Sequence, residues 1–187
     1  MFEQLTQLAQ QYGNEAVVKN NAIPNEQNDA VISEASNSIF VGLKEIVSQG
    51  GVDQLAALFQ GNNVQDSSNP VVQKLTQQLT GSLGQKFGLS EGTATGVAGT
   101  LIPQILGSLI GKAKDPNDSS FQITDIIAAI SGNSGQNSGI MDAISKYGGQ
   151  FGLDQNADGK LDMRDAMDAI KKNSGGLGGL LGNLFGK

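Results

Sequence analysis

The chain has 187 residues, no cysteine, no histidine and a formal net charge of −6 at pH 7. Without cysteine there is no disulfide, thiolate metal site or cysteine nucleophile, and without histidine there is no imidazole ligand and no general base of the usual kind. The acidic balance argues against nucleic-acid binding, which needs clustered lysine and arginine, so no nucleic-acid partner is expected. Oxygen ligands remain, and they suit Ca²⁺, Mg²⁺ or Mn²⁺.

The first segment, MFEQLTQLAQQYG, is polar and amphipathic. It lacks the basic start and the apolar run of a Sec signal peptide. We find no uninterrupted apolar stretch of about 18 residues, so we expect no transmembrane segment. These features favour a cytoplasmic protein. The alternative is export without a Sec signal peptide, which the acidic composition, the missing cysteine and the many glycines also suit.

Helical spacing of apolar residues predicts short helices and no strand, so the predicted fold class is all-α. The first apolar stripe runs from Val31 to Val47, in a helix that Asn25 or Asn28 caps and a Gly-Gly pair ends. A shorter helix with the sequence VDQLAALFQ follows and ends at Gly61.

Two longer helices are predicted next. Pro70 suits the first turn of one of them, which closes at Phe87 and Gly88. Ser90 opens the other, in which Pro103 predicts a kink or a break. Beyond them, shorter helices are predicted over residues 121–130 and 140–147.

The chain repeats itself. The stripe Val31, Ala35, Ile39, Phe40 and Leu43 matches Val97, Leu101, Ile105, Leu106 and Leu109 at one constant offset. We therefore predict a duplicated helical domain over residues 1–135, with tandem short-helix units at about 1–66 and 67–135. A calcium-binding segment at 136–173 and a Gly/Leu-rich tail at 174–187 complete the predicted organisation. The alternative is that amphipathic helices of similar composition resemble one another.

The segment DQNADGKLDMRD, residues 154–165, has the ligand spacing of a twelve-residue calcium loop. Such a loop supplies oxygens from positions 1, 3, 5, 7, 9 and 12 around a glycine at position 6, here Gly159. Lys160 would offer its backbone carbonyl, and the others would offer side chains. The predicted metal ligands are Asp154, Asn156, Asp158, Lys160, Asp162 and Asp165. The alternative is a solvated Asx-Gly turn whose acidic residues keep it soluble.

Position 12 is Asp165, where the usual EF-hand has glutamate. With aspartate or asparagine at positions 1, 3, 5 and 9 and aspartate at 12, the loop resembles the EF-hand-like loop of dockerin modules. Dockerins carry two such loops, but the other acidic segment, DPNDSSFQITD, has Ser120 where the glycine belongs. The resemblance covers about residues 150–173 and does not imply cohesin binding.

The segment LGQKFGLSEGTATGVAGTLIPQILGSLIGKA resembles the YidB-like bacterial family of unknown function. The shared features are a Gly-Leu-Ser helix start at Gly88, an apolar helix with Leu-Ile-Pro before Gln104, and a Gly-rich apolar end. The resemblance covers about residues 70–135, and the duplication extends it to residues 1–69. It implies a small helical domain, and the family carries no assigned activity or catalytic residues.

The tail, SGGLGGLLGNLFGK, places its leucines on one face of a helix while its glycines oppose helix formation. It suits docking on the protein's own core, a flexible end, or association with a partner or a second copy. No GxSxG elbow and no phosphate loop are found, so we expect no enzyme. The sequence thus predicts a non-catalytic, calcium-binding structural or interaction module. The alternative is a self-assembling or surface-associating scaffold in which calcium is incidental.

Overall fold

The structure is a computed structural model that describes residues 2–60, 63–115 and 129–130. Within those residues the secondary structure is helical and contains no strand, which confirms the all-α prediction. The chain divides into two compact units, Met1–Gln122 and Ile123–Lys187. All five of the α-helices described below belong to the first unit.

Apolar periodicity predicts the described α-helices close to where they lie, except for the first, whose segment is recognised from the sequence only as polar and amphipathic. They are α1 (Phe2–Gly13), α2 (Asn28–Ser48), α3 (Val52–Gln60), α4 (Pro70–Phe87) and α5 (Glu91–Ala113). Three short turns of other helical types separate them, namely a π turn (Asn14–Val18) and two 3₁₀ turns (Asn25–Gln27 and Asn63–Gln65).

Four helices enclose the core of the first unit. α1 packs against α2 and α5, and α4 packs against the same two helices. Each helix presents an apolar stripe inward, and the largest fully buried side chains are all leucine or isoleucine. These side chains are Leu5, Leu8, Ile39, Leu43, Leu58, Leu75, Leu79, Leu83, Leu101, Ile102, Ile105 and Leu106. Burying such side chains supplies most of the free energy that holds helices together.

The contact pattern has a simple relation to the predicted duplication. If the predicted repeats at about 1–66 and 67–135 correspond, α1 is equivalent to α4 and α2 to α5. The α1–α2 contact is then equivalent to the α4–α5 contact, and α1–α5 to α4–α2. Matched stripe positions such as Ile39 and Ile105 are buried in both helices, whereas Phe40 is only half-buried and its counterpart Leu106 is buried. The duplication itself stays a prediction.

The start of α4 shows how local sequence fixes a helix boundary. In the preceding loop the Asp66 carboxylate accepts a hydrogen bond from the Ser68 backbone N–H at 2.8 Å. Hydrogen bonds from the side chain and backbone of Ser68 lower the pKa of Asp66. Asn69 is the N-cap residue, and its side-chain oxygen accepts from the Val71 backbone N–H at 2.9 Å. Pro70 occupies the first helical position, as predicted.

The boundary between α4 and α5 also follows the prediction. Gly88 ends α4 in the left-handed conformation with φ of 66°, which glycine adopts without a steric penalty. Ser90 has an extended backbone and caps α5 by accepting a hydrogen bond from the Thr93 N–H at 3.2 Å.

The predicted cap of α2 is wrong. The cap position is Gln27, which makes no side-chain capping bond, and Asn28 is already the first residue of the helix. A side-chain cap requires an extended backbone at the cap residue. Here the 3₁₀ turn that includes Asn25 leads into α2 with a helical backbone at Gln27, so neither predicted asparagine has the necessary geometry.

The break predicted as one outcome at Pro103 is absent. α5 is continuous from Glu91 to Ala113. Proline removes the donor that would reach the carbonyl of the residue four positions earlier, and its ring crowds that residue. That residue is Gly99, which is exposed and has no side chain, so solvent reaches the carbonyl and the crowding is reduced.

One of the described helices, α5, is long and apolar enough to cross a membrane, judged by length and composition alone. Half of its most apolar window is buried in the structure, and a buried core helix passes the same test. The expectation of no transmembrane segment therefore stays a prediction.

Glycines serve different purposes on α2 and α5. A Cβ added at Gly42 would lie closer to Leu75 than real side chains tolerate, and 2.6 Å from the Gln78 side-chain oxygen. Gly42 therefore permits the close approach of α2 to α4. At Gly96 on α5, an added Cβ would meet nothing within 4 Å.

Alanine substitutions should distinguish the glycine that helix packing requires, Gly42, from Gly96, which faces open space. We expect Gly42→Ala to lower the free energy of unfolding by about 1–2 kcal/mol, because overpacking outweighs the gain in helix propensity. Gly96→Ala, the matched control, should raise it by about 1 kcal/mol. Urea unfolding followed by circular dichroism measures both, and equal effects of the same sign would contradict the assignment.

Removal of the α4 cap provides a second test. Asn69→Ala should lower the free energy of unfolding by about 1 kcal/mol, because the first turn of α4 loses its side-chain acceptor. Asn69→Asp retains an acceptor oxygen and should remain within a few tenths of a kcal/mol of wild type. Thermal melts of the two variants measure the difference. If the Asn69 side chain does not stabilise α4, the melting curves of Asn69→Ala and Asn69→Asp should be identical.

Candidate functional site

The predicted calcium loop lies outside the described residues. The structure therefore provides no geometry for Asp154, Asn156, Asp158, Lys160, Asp162 and Asp165. Among residues 2–60, 63–115 and 129–130, no group of three or more acidic side chains is placed to hold a metal ion. The metal prediction thus depends on the loop sequence alone.

A groove of about 400 Å³ forms a second candidate site, within the first unit. It lies between the end of α1, the 3₁₀ turn at Asn63–Gln65 and the C-terminal half of α5, and it is open to solvent. The described residues that line it are Tyr12, Gln65, Gln104, Gly107, Ser108, Gly111 and Lys112. The lining is mixed, because aromatic and glycine surface alternates with hydroxyl, amide and ammonium groups.

A hydroxyl pair joins two walls of the groove. The side-chain hydroxyls of Tyr12 on α1 and Ser108 on α5 form a hydrogen bond, and either oxygen can donate. Both residues are half-buried. The bond fixes the Tyr12 side chain against α5, so the tyrosine is a pre-oriented part of the groove.

Two glycines form part of the α5 wall. A Cβ added at Gly107 would make ordinary contact with Val64 at 3.5 Å, and one at Gly111 would meet nothing within 4 Å. Because neither position carries a side chain, a bound molecule can approach the helix backbone. The turn that carries Val64 and Gln65 packs against α5 and defines the opposite rim.

The backbone of α1 changes just after Tyr12. The helix continues into the π turn Asn14–Val18, in which the Lys19 N–H bonds to the Asn14 carbonyl at 3.1 Å. Val17 is buried and anchors this turn in the core. Single π turns are uncommon in proteins, and those that do occur are often found at functional sites. This one places an unusual backbone segment beside the groove.

The polar groups of the groove differ in how they are engaged. Lys112 takes part in a further interaction, so its ammonium group is not a free cation. Within the described part of the chain, the side-chain amides of Gln65 and Gln104 have no hydrogen-bond partner. These amides present both donors and acceptors, and no carboxylate is among the described residues that line the groove. The arrangement suits binding by hydrogen bonds.

Sequence reasoning did not identify this groove. Its residues come from three separate segments, and none of them belongs to a local motif. The signals in the sequence are weak: Tyr12 is one of only two tyrosines, and Gly107 and Gly111 are four residues apart on a predicted helix.

Comparisons with known proteins identify no relative. No protein family matches the sequence, and no curated protein or solved structure is significantly similar to it. The similarities to dockerin loops and to the YidB-like family therefore stay hypotheses.

The Tyr12–Ser108 bond should contribute modestly to stability. Tyr12→Phe and Ser108→Ala should each lower the free energy of unfolding by about 0.5–1.5 kcal/mol, because each removes one hydrogen bond. In a double-mutant cycle the two losses should not add, since both substitutions remove the same interaction. Chemical denaturation of the four proteins measures the coupling, and strictly additive losses would exclude the bond in solution.

Proposed function

We propose that this protein is a calcium-binding, non-catalytic helical protein that acts as a structural or interaction module. The observation that carries the proposal is the loop sequence DQNADGKLDMRD at residues 154–165. Its six ligand positions all provide oxygen, and oxygen is what a hard cation such as Ca²⁺ binds.

Each residue of the loop has a role in this proposal. Asp154, Asn156, Asp158 and Asp165 hold the ion through side-chain oxygens, and Lys160 holds it through its backbone carbonyl. Asp162 binds directly or through a water molecule. Bound calcium neutralises the clustered carboxylates and cross-links the loop, which would fix the start of the segment that follows.

The distribution of the other acidic residues supports this choice of site. In the first unit the described carboxylates are distributed over several helices and loops, and Glu34 pairs with Lys86 at 2.8 Å. None of them joins a group of three or more that would hold a metal ion, counted over the described residues. The loop sequence at residues 154–165 is therefore our choice for the site, because it supplies six candidate oxygen ligands within twelve consecutive residues.

The proposed interaction role is supported by an apolar surface on α1 and α2. Phe2 is 42% exposed and packs edge-to-face on Phe40, with ring centroids 6.1 Å apart. The neighbouring Val41 is 43% exposed, and the Lys44 ammonium lies 5.5 Å from the centre of the Phe40 ring. Aromatic side chains are enriched at protein–protein interfaces, so the Phe2–Phe40 pair is the part of this surface that suits a partner contact.

Calcium titration of the full chain tests the proposal. We expect one site with a dissociation constant of about 10⁻⁵ to 10⁻³ M, because the loop is unpaired and position 12 is aspartate. Asp154→Ala should remove the binding heat, since it deletes a charged ligand. Isothermal titration calorimetry measures the binding heat of wild type and of Asp154→Ala after a chelator has removed bound metal.

An exposed aspartate outside the loop provides the matched control. Asp29 lies in the first turn of α2, and Asp29→Asn should leave calcium binding unchanged. At a calcium concentration about 100 times the dissociation constant, wild type should gain about 2.7 kcal/mol of stability over its EDTA-treated form. Binding heat that survives in Asp154→Ala would refute the site, and so would an unchanged melting curve in wild type.

A further inference from the structure

The groove beside Tyr12 has a ligand chemistry of its own. It combines an aromatic side chain with two hydroxyls and the two side-chain amides of Gln65 and Gln104. Each amide group offers an acceptor oxygen and donor N–H bonds side by side. Adjacent hydroxyl groups on a sugar ring present the complementary arrangement, because every hydroxyl both donates and accepts.

Three observations argue against an anionic ligand. Lys112, the one cation among the described lining residues, is already engaged in another interaction. The whole chain carries a net charge of −6, which disfavours the approach of anions. The amides of Gln65 and Gln104 supply acceptors as well as donors, and acceptor oxygens repel a carboxylate or a phosphate.

A purely apolar ligand fits poorly as well. Burying the amides of Gln65 and Gln104 under an apolar group would leave their hydrogen bonds unmade, which costs free energy. A ligand with an apolar ring face and polar edges avoids this cost. Its face can lie on the Tyr12 ring, and its edges can bond to the amides.

The glycines determine how closely such a ligand approaches. Gly111 is exposed, with nothing within 4 Å of an added Cβ, and Gly107 lies at the rim formed by Val64. A ring can therefore rest on the backbone of α5 while it remains within reach of Gln104. The π turn that follows Tyr12 provides independent support, because such turns are frequent at functional sites.

We propose that the groove lined by Tyr12, Gln65, Gln104 and Gly111 is a binding site for a neutral saccharide. A monosaccharide unit fits within the volume of about 400 Å³, and its ring face and hydroxyl edges suit the mixture of aromatic, glycine and amide surface. We expect sugar binding not to depend on calcium, because the described residues that line the groove all belong to the first unit and none is a predicted calcium ligand. Affinity is weak, with a dissociation constant of about 1–10 mM, since an open groove buries little of a small ligand.

The test uses the full chain, labelled with ¹⁵N, and D-glucose, D-galactose and N-acetyl-D-glucosamine as probes. Two-dimensional NMR follows the backbone amides of Gly107 and Gly111 and the side-chain amides of Gln65 and Gln104. At least one sugar should produce saturable shifts confined to these signals, with the same dissociation constant in EDTA and in calcium. Absence of saturable shifts for all three sugars up to about 100 mM, ten times the weakest expected constant, overturns the proposal.

Two pairs of variants locate the site. Gly111→Leu fills the groove and Gln104→Leu removes an amide, and each should weaken sugar binding at least about tenfold. Their controls are Gly96→Leu on the exposed face of α5 and Gln73→Leu on the exposed face of α4, which should bind as wild type does. Unchanged helical circular dichroism confirms that each variant folds. Equal binding in Gly111→Leu and Gly96→Leu overturns the location.

Acetate and inorganic phosphate serve as anionic probes in the same titrations. The proposal expects neither to shift the groove signals in a saturable way. If either anion binds and the sugars do not, the ligand class is wrong. This result would leave the calcium proposal untouched, because the calcium titration addresses a different segment of the chain.

Discussion

An aliphatic core enclosed by four helices is the constraint on which the first unit depends. The chain has no cysteine and so no disulfide, and among the described residues the largest fully buried side chains are leucine and isoleucine, with no aromatic residue. Aliphatic side chains fill less space than aromatic ones, so the helices must pack closely to leave no cavity. Small residues on α2 allow this, because Gly42 and the buried Ser38 and Ala35 lie along one stripe of that helix.

Electrostatic interactions contribute less to this unit. The Glu15–Lys19 ion pair is exposed, and in the Glu34–Lys86 pair between α2 and α4 the lysine side chain is about half-exposed. Ion pairs at the surface stabilise proteins by less than about 1 kcal/mol. The buried hydroxyl of Ser36 donates a hydrogen bond to the Ile32 carbonyl of the same helix at 3.3 Å, so it adds no hydrogen bond between helices. Shape and apolar burial therefore determine how the helices pack.

The sequence was sufficient to predict the helices and the core, because both depend on local periodicity. Apolar spacing located α2 and α5, and the N-caps at Asn69 and Ser90 are local signals with local effects. The α2 start was mispredicted because a preceding 3₁₀ turn made the backbone at Gln27 helical, and asparagine alone does not reveal that turn. The break that Pro103 predicted as one outcome does not occur, because the residue four positions earlier is the exposed Gly99, which reduces the crowding by the proline ring.

The two candidate sites differ in the kind of information that specifies them. A calcium loop is twelve consecutive residues, so its ligand set can be predicted from the spacing of residues along the chain. The groove is assembled by tertiary packing, because Tyr12 and Ser108 are 96 residues apart and meet only when α1 packs on α5. No periodicity or motif in the sequence records that contact.

Glycine by itself does not identify a site in this protein. Gly92, Gly96 and Gly99 on α5 have as much open space as Gly111, and each costs about 1 kcal/mol of helix stability relative to alanine. What distinguishes Gly111 is its surroundings. It shares a groove with a tyrosine held by a hydrogen bond and with amides that lack partners among the described residues. The same exposed backbone is therefore a binding surface only where polar groups from other segments converge on it.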